Sequence, residues 1–185
     1  GYIKRIAADV YRSQKRGGKG LTAMNTREDD FVENLFVTST HDYIMFFTNT
    51  GKAFRLKAYE LPEASRISKG TAIVNLLQLA QGEKIAAVMP VKNYNDDLYV
   101  LMATSHGLIK RTKLSEYSNI RKSGIQGITL KEGDELIDVR LTDGTNDIVM
   151  VTRQGLSIRF PEDEVRAVGR TSMGVKRISI LKDDK

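Results

Sequence analysis

The residues best suited to chemistry in this chain form one stretch, Gln14-Lys15-Arg16-Gly17-Gly18-Lys19-Gly20. Glycine lacks a Cβ and tolerates positive φ, so such a loop can turn tightly and bring its backbone against a partner. The interleaved Lys and Arg supply charge and N–H donors suited to phosphate oxygens. A nucleoside-triphosphate cradle is excluded by spacing. That loop needs a Gly four intervening residues ahead of Gly-Lys-Ser/Thr, but Ser13 occupies the place of that Gly and Gly20 follows Lys19. No other constellation competes. The chain has no cysteine, and its two histidines, His41 and His106, fall in expected turns without ligand spacing. No nucleophile–base pair stands out, and the tyrosines read as core or rim aromatics.

The elements that must position this stretch come from a repeat. Gly1-Tyr-Ile-Lys-Arg, Gly51-Lys-Ala-Phe-Arg, Gly107-Leu-Ile-Lys-Arg and Gly155-Leu-Ser-Ile-Arg align at intervals of 50, 56 and 48 residues. Four positions after each glycine stands Arg5, Arg55, Arg111 or Arg159, and fifteen after it Arg16, Arg66, Lys122 or Arg170. A second glycine aligns as Gly20, Gly70, Gly127 and Gly174. Within each period, short β-branched and aromatic runs alternate with polar turns. Strands are expected over 21–24, 71–77, 128–130 and 175–180, then over 31–37, 85–91 and 136–141, then over 43–48, 98–104 and 148–152. Each glycine then leads a further strand. Segments 57–63, 114–118 and 162–167 are long enough only for a helical turn.

About four antiparallel strands per ~50 residues is propeller-blade spacing. The fold class expected is all-β, an array of four-stranded blades holding about fourteen strands. The periods are 1–50, 51–106, 107–154 and an incomplete 155–185, all within one domain. The abrupt opening on Gly1 reads as mid-element, so a piece of a longer domain is expected. In the glycine-led strands, period-2 alternation turns Arg55 and Arg159 away from the apolar face.

Charge points to the partner. Net charge is +5 over 1–20, +3 over 51–70, +4 over 107–127 and zero over 155–174, together +12. The whole chain carries +6, so the other 104 residues carry −6. Positive charge is therefore gathered at one repeated structural position, where an ordinary surface would intersperse both signs. There is no run of 18 apolar residues to cross a membrane and no signal-peptide pattern.

The stretch 14–20, in this repeat setting, resembles the box of the DNA gyrase A C-terminal domain family, Gln-Arg/Lys-Arg-Gly-Gly-Lys-Gly. All seven positions match, with Lys15 the permitted variant, and Tyr2-Ile3-Lys4-Arg5 and Tyr11-Arg12-Ser13 match its surroundings. The resemblance implies a β-pinwheel, a propeller relative whose blades exchange strands, present here in part. It implies a non-catalytic module that wraps duplex DNA on a basic rim so that the whole enzyme introduces negative supercoils. DNA binding is expected from Gln14, Lys15, Arg16, Gly17, Gly18, Lys19 and Gly20 of the box. Rim contacts are expected from Lys4, Arg5, Arg12, Arg55, Arg66, Lys69, Lys110, Arg111, Arg121 and Lys122, with Arg159 and Arg170 weaker. The resemblance further implies no metal or cofactor in this chain, ATP and magnesium being used elsewhere in an ATP-dependent type IIA topoisomerase. The implied partners are double-stranded DNA, the remainder of the gyrase A protein and gyrase B, in the cytoplasm. Two alternatives stay open: the topoisomerase IV counterpart, in which the box is degraded or absent, and a propeller-like scaffold for acidic proteins.

Overall fold

The structure, a computed structural model, describes residues 1–10, 16 and 31–180. Among them are twelve strands and no α-helix. The strands are β1 (Tyr2–Ile3), β2 (Tyr43–Thr48), β3 (Lys52–Lys57), β4 (Thr71–Ala72), β5 (Ile85–Val91) and β6 (Tyr99–Thr104). They continue with β7 (Leu108–Lys113), β8 (Ile125–Gln126), β9 (Leu136–Thr142), β10 (Asp147–Val151), β11 (Ser157–Pro161) and β12 (Val175–Lys176). Short 3-10 turns at Ala58–Glu60, Leu114–Tyr117 and Glu162–Glu164 lie inside the three segments expected to hold a helical turn.

Two four-stranded antiparallel sheets dominate, in the orders β5-β2-β3-β8 and β12-β7-β6-β9. Each mixes strands from three consecutive periods. The hairpin β2–β3 takes β5 on one edge and β8, from the following period, on the other; β6–β7 takes β9 and β12 in the same way. β1 likewise pairs with β4 of the next period. The blades therefore exchange strands.

Burial explains which residues form the central strands. Tyr43–Thr48 is a nearly continuous apolar run, as a strand buried on both faces requires. Its residues divide with period 2: Ile44 and Phe46 enter one core with Phe54, Leu61, Ile73 and Leu77. Met45 and Phe47 enter another with Val100, Met102, Leu114, Tyr117, Leu136 and Val139, which joins the two large sheets. There Phe47 meets Tyr117 edge-on at 5.9 Å between ring centroids. Leu101 and Ile109 face a third core with Phe160 and Val165 of the last hairpin. The cores thus lie between successive blades.

Four expected strands differ, among them 175–180, of which only Val175–Lys176 is extended. Segment 31–37 carries no ladder, and Phe31, Leu35 and Val37 are about four-fifths exposed. Its counterparts β5 and β9 each pair with the hairpin of the preceding period, and 31–37 has no such hairpin in this chain. Segment 128–130 is not a strand either; β8 forms three residues earlier, directly after Gly124. Only Thr71–Ala72 of 71–77 is extended, because Ile73–Asn75 folds into a 3-10 turn that buries Ile73 in the core. Segment 21–24 lies outside the described residues.

Candidate nucleic-acid interface

Among the described residues the basic segments of units two to four become equivalent loops, each running from a 3-10 turn to a two-residue strand. Register fixes their equivalence. Thr71 after Gly70 pairs with Ile3, and Val175 after Gly174 pairs with Ile109. In the third unit Ile125 pairs with Ala53, so the equivalent glycine is Gly124. Gly127, three residues later, aligned by sequence counting alone and is not the turn residue. Gly70, Gly124 and Gly174 all have positive φ, at 89°, 79° and 92°, whereas Gly127 does not. At Gly70 and Gly174 a Cβ would stand 2.5 Å from the carbonyl oxygen of Ile3 or Ile109 in the preceding unit, an approach only glycine allows. The third loop is two residues shorter than those of the second and fourth units, and Arg121 and Lys122 lie within it, exposed.

The lysine three positions after a leading glycine has an unexpected place. The Lys4 ammonium donates to the carbonyl oxygens of Ser65 at 3.3 Å, Arg66 at 2.5 Å and Ser68 at 2.7 Å. The Lys110 ammonium donates to Gly169 at 3.4 Å, Ser172 at 3.3 Å and Arg170, and also to Gly127 at 2.6 Å. Counted back from Gly70 and Gly174, these are the same three carbonyls. Lys110 is fully buried, so the expectation of a rim contact at this residue does not match its placement. Burial pushes its pKa down to about 8, against a smaller upward pull from Glu116 and a further lowering by Arg170. In the second unit the same position is Phe54, whose ring packs where a Gly124 Cβ would stand, 2.7 Å away.

Of the arginines four positions after the leading glycines, Arg159 lies opposite the apolar face of its hairpin, but Arg55 and Arg111 do not: both faces of β3 and β7 enter cores, and Arg55 shares its face with Ala53 and Met45, Arg111 with Ile109 and Leu101. None of the four is free in solvent. Arg5 donates to the Leu61 carbonyl at 3.3 Å and pairs with Glu63 at 3.2 Å. Arg55 donates to the Ser118 carbonyl at 2.5 Å and covers the Tyr43 ring at 4.6 Å. Arg111 covers Tyr99 at 4.6 Å and is only 9% exposed; its Nε has no hydrogen-bond partner. Arg159 is exposed and paired with Asp147 across the hairpin.

Three of the expected residues do converge. Arg55, Arg121 and Arg170, from three consecutive units, line one open concavity of about 560 Å³ together with Asn119, Ser123 and Gln126. Guanidinium groups around a polar hollow suit phosphate oxygens. Arg66 and Lys69 are half-buried, with the Lys69 ammonium 4.1 Å over the Tyr2 ring. Of the box, Arg16 alone is described, exposed in a turn; Gln14, Lys15, Gly17, Gly18, Lys19 and Gly20, and Arg12 before it, lie outside the described residues. Lys57 and Lys113, at the ends of β3 and β7, were absent from the expected set. Each stands six residues after its leading glycine, a spacing that could have flagged them. Among the described residues no cluster of His, Cys, Asp or Glu could hold a metal ion, and no helix is long and apolar enough to cross a membrane.

A family model described as "DNA gyrase C-terminal domain, beta-propeller" matches residues 1–39, 42–92, 98–143 and 146–185. The DNA gyrase A protein of Clostridium acetobutylicum is 56% identical over 95% of this chain and 21% of its own length. That of Halalkalibacterium halodurans is 52% identical over 97% of this chain and 22% of its own length. The chain thus spans about a fifth of these relatives. Among solved structures, the C-terminal domain of DNA topoisomerase IV superposes with a TM-score of 0.85 at 31% identity, covering all of this chain and 56% of that one. A DNA gyrase A C-terminal domain superposes at 0.73 and 27% identity, covering all of this chain and 59% of that one. Repeats, strand exchange and glycine-anchored loops are therefore those of a shared fold, and this chain belongs to the DNA gyrase C-terminal domain family.

Proposed function

We propose that this chain binds and wraps duplex DNA on its basic loops, as a non-catalytic part of a cytoplasmic DNA gyrase A protein. That protein would work with gyrase B, and the whole enzyme would introduce negative supercoils with ATP and magnesium bound elsewhere. The observation that carries the reading is the gathering of +12 of charge into one recurrent segment of a chain whose total is +6. Wrapping draws on phosphates and DNA bendability rather than base edges, and on counterion release along a curved surface. The described residues offer no α-helix to enter a major groove.

If three positive loops each neutralise about two phosphates, the slope of log K against log salt is about −5. Affinity should also grow with duplex length until the loops are covered. A slope near zero, or affinity independent of length, would return the chain to a scaffold for acidic proteins. The fit to the topoisomerase IV domain keeps that counterpart as the second reading; the intact box at 14–20 favours gyrase. Replacing Lys15, Arg16 and Lys19 with Ala in the whole enzyme separates the two. Loss of negative supercoiling with relaxation retained supports gyrase; unchanged supercoiling removes the box from the mechanism.

A further inference from the structure

Lys4 and Lys110 occupy the same position in units one and three, and each ammonium is enclosed by the same three carbonyls of the following unit's loop. We propose that these two lysines are positioning residues that lock the next unit's basic loop in its DNA-binding shape, and that they do not themselves meet phosphate. The proposal rests on the DNA-binding reading for its purpose, but the locking can be measured without DNA.

Three observations converge. First, the bonds cross from one unit to the next, spanning about 60 residues of sequence. They tie Lys110, within β7 of a four-stranded sheet, and Lys4, directly after β1, each to a loop with few ladder bonds of its own. Second, the enclosed carbonyls belong to the residues that carry the loop's charge: Lys4 holds the backbone of Arg66, and Lys110 that of Arg170. A carbonyl held inward leaves its own side chain on the outer side of the turn. Arg170 then reaches the concavity it shares with Arg55 and Arg121. Third, the position tolerates another solution. In unit two Phe54 fills it and packs against Gly124, so that loop is held by an apolar plug in place of an ammonium. Filling the position, with charge or with a ring, is the common feature, which is what a brace requires and a phosphate contact does not.

The geometry also excludes the simpler role for Lys110. Its side chain is fully buried and four carbonyl oxygens surround three N–H donors. Reaching a phosphate would mean leaving all of them and opening the loop.

The test uses the full-length protein that carries this chain. Lysines are acetylated with an amine-reactive ester, with and without a long duplex, and read by mass spectrometry. Lys113 and Lys122, both exposed, should label in the free protein and be protected by DNA. Lys110 should stay unlabelled in both states. Labelling of Lys110 in the free protein with protection by DNA would overturn the proposal. Separately, Lys110→Met should raise amide exchange over 168–174 by about tenfold or more while other blades stay protected. It should also weaken DNA binding more than Lys122→Met, which removes one charge and about 0.9 from the salt slope. Wild-type exchange in Lys110→Met would sink the idea. Should that variant fail to fold, Lys4→Met at the half-buried cage reports the same exchange over 64–70. If no lysine is protected by DNA, the DNA reading fails, and the exchange result alone decides whether the lysines brace the loops.

Discussion

At the scale of single residues, glycine and carboxylate placements set the constraints that can be tested most directly. Gly124 needs positive φ, and its missing Cβ leaves room for Phe54. Gly124→Ala should therefore cost roughly 1–2 kcal/mol for the backbone and about 1–3 kcal/mol for crowding the ring, read from denaturant midpoints. Gly127→Ala, with ordinary φ, should cost less; the reverse order would show that the third loop turns at Gly127 after all. Glu83 is the second case. Burial raises its carboxyl pKa, but the Thr50 and Thr48 hydroxyls, the Ala80 amide and Lys52 outweigh burial and hold it below the usual 4.5. A depressed folded-state pKa contributes stability that is present above 4.5 and lost as pH falls through the folded value. Stability should thus be level down to about pH 4.5 and then decline. Glu83→Gln should be less stable at neutral pH and show a shallower decline; an unchanged decline would place the acid sensitivity elsewhere.

At the scale of elements, sequence reading succeeded where a run of apolar residues pairs along its length with a strand of a central hairpin. The runs 43–48, 85–91 and 136–141 matched β2, β5 and β9 closely: residues of β2 and β5 enter two separate cores, and β9 buries Leu136 and Val139 in one of them. It failed where a partner from another period decides the outcome, as at 31–37, or where a loop changes length, as between Gly107 and Gly124. Counting residues from the leading glycine could not see a two-residue deletion; the pairing of Ile125 with Ala53 does. For the site, the repeated arginines were expected as a charged stripe, but the hollow lined by Arg55, Arg121 and Arg170 was not legible, since strand exchange brings the three units to one place. Nor was the enclosure of Lys4 and Lys110, since the carbonyls that hold them are backbone groups of any residue type. The fourth hairpin, β10–β11, carries an expectation of its own. Arg159 is exposed but engaged by Asp147. Arg159→Ala should therefore change DNA affinity little, whereas Asp147→Asn should raise it by freeing the guanidinium. A larger loss from Arg159→Ala than gain from Asp147→Asn, in filter binding at matched salt, would mean that the pair opens readily on DNA.

At the scale of the whole molecule, exchange of strands means that repeat boundaries and structural boundaries do not coincide. The sheet β5-β2-β3-β8 is finished by a strand that arrives some seventy residues after β3. Met45 and Phe47 of that sheet share a core with Val100 and Met102 of the next. A backbone break in the polar turn between Val91 and Tyr99 would separate these sheets covalently while leaving β8, on the far fragment, hydrogen-bonded to β3 on the near one. The nicked protein should stay together on a sizing column and unfold in one transition at a lower denaturant concentration. Two independently eluting fragments would show that the blades are joined only end to end. The fold is in this sense stitched: each unit passes a thread back into the one before it, and cutting between stitches does not open the seam.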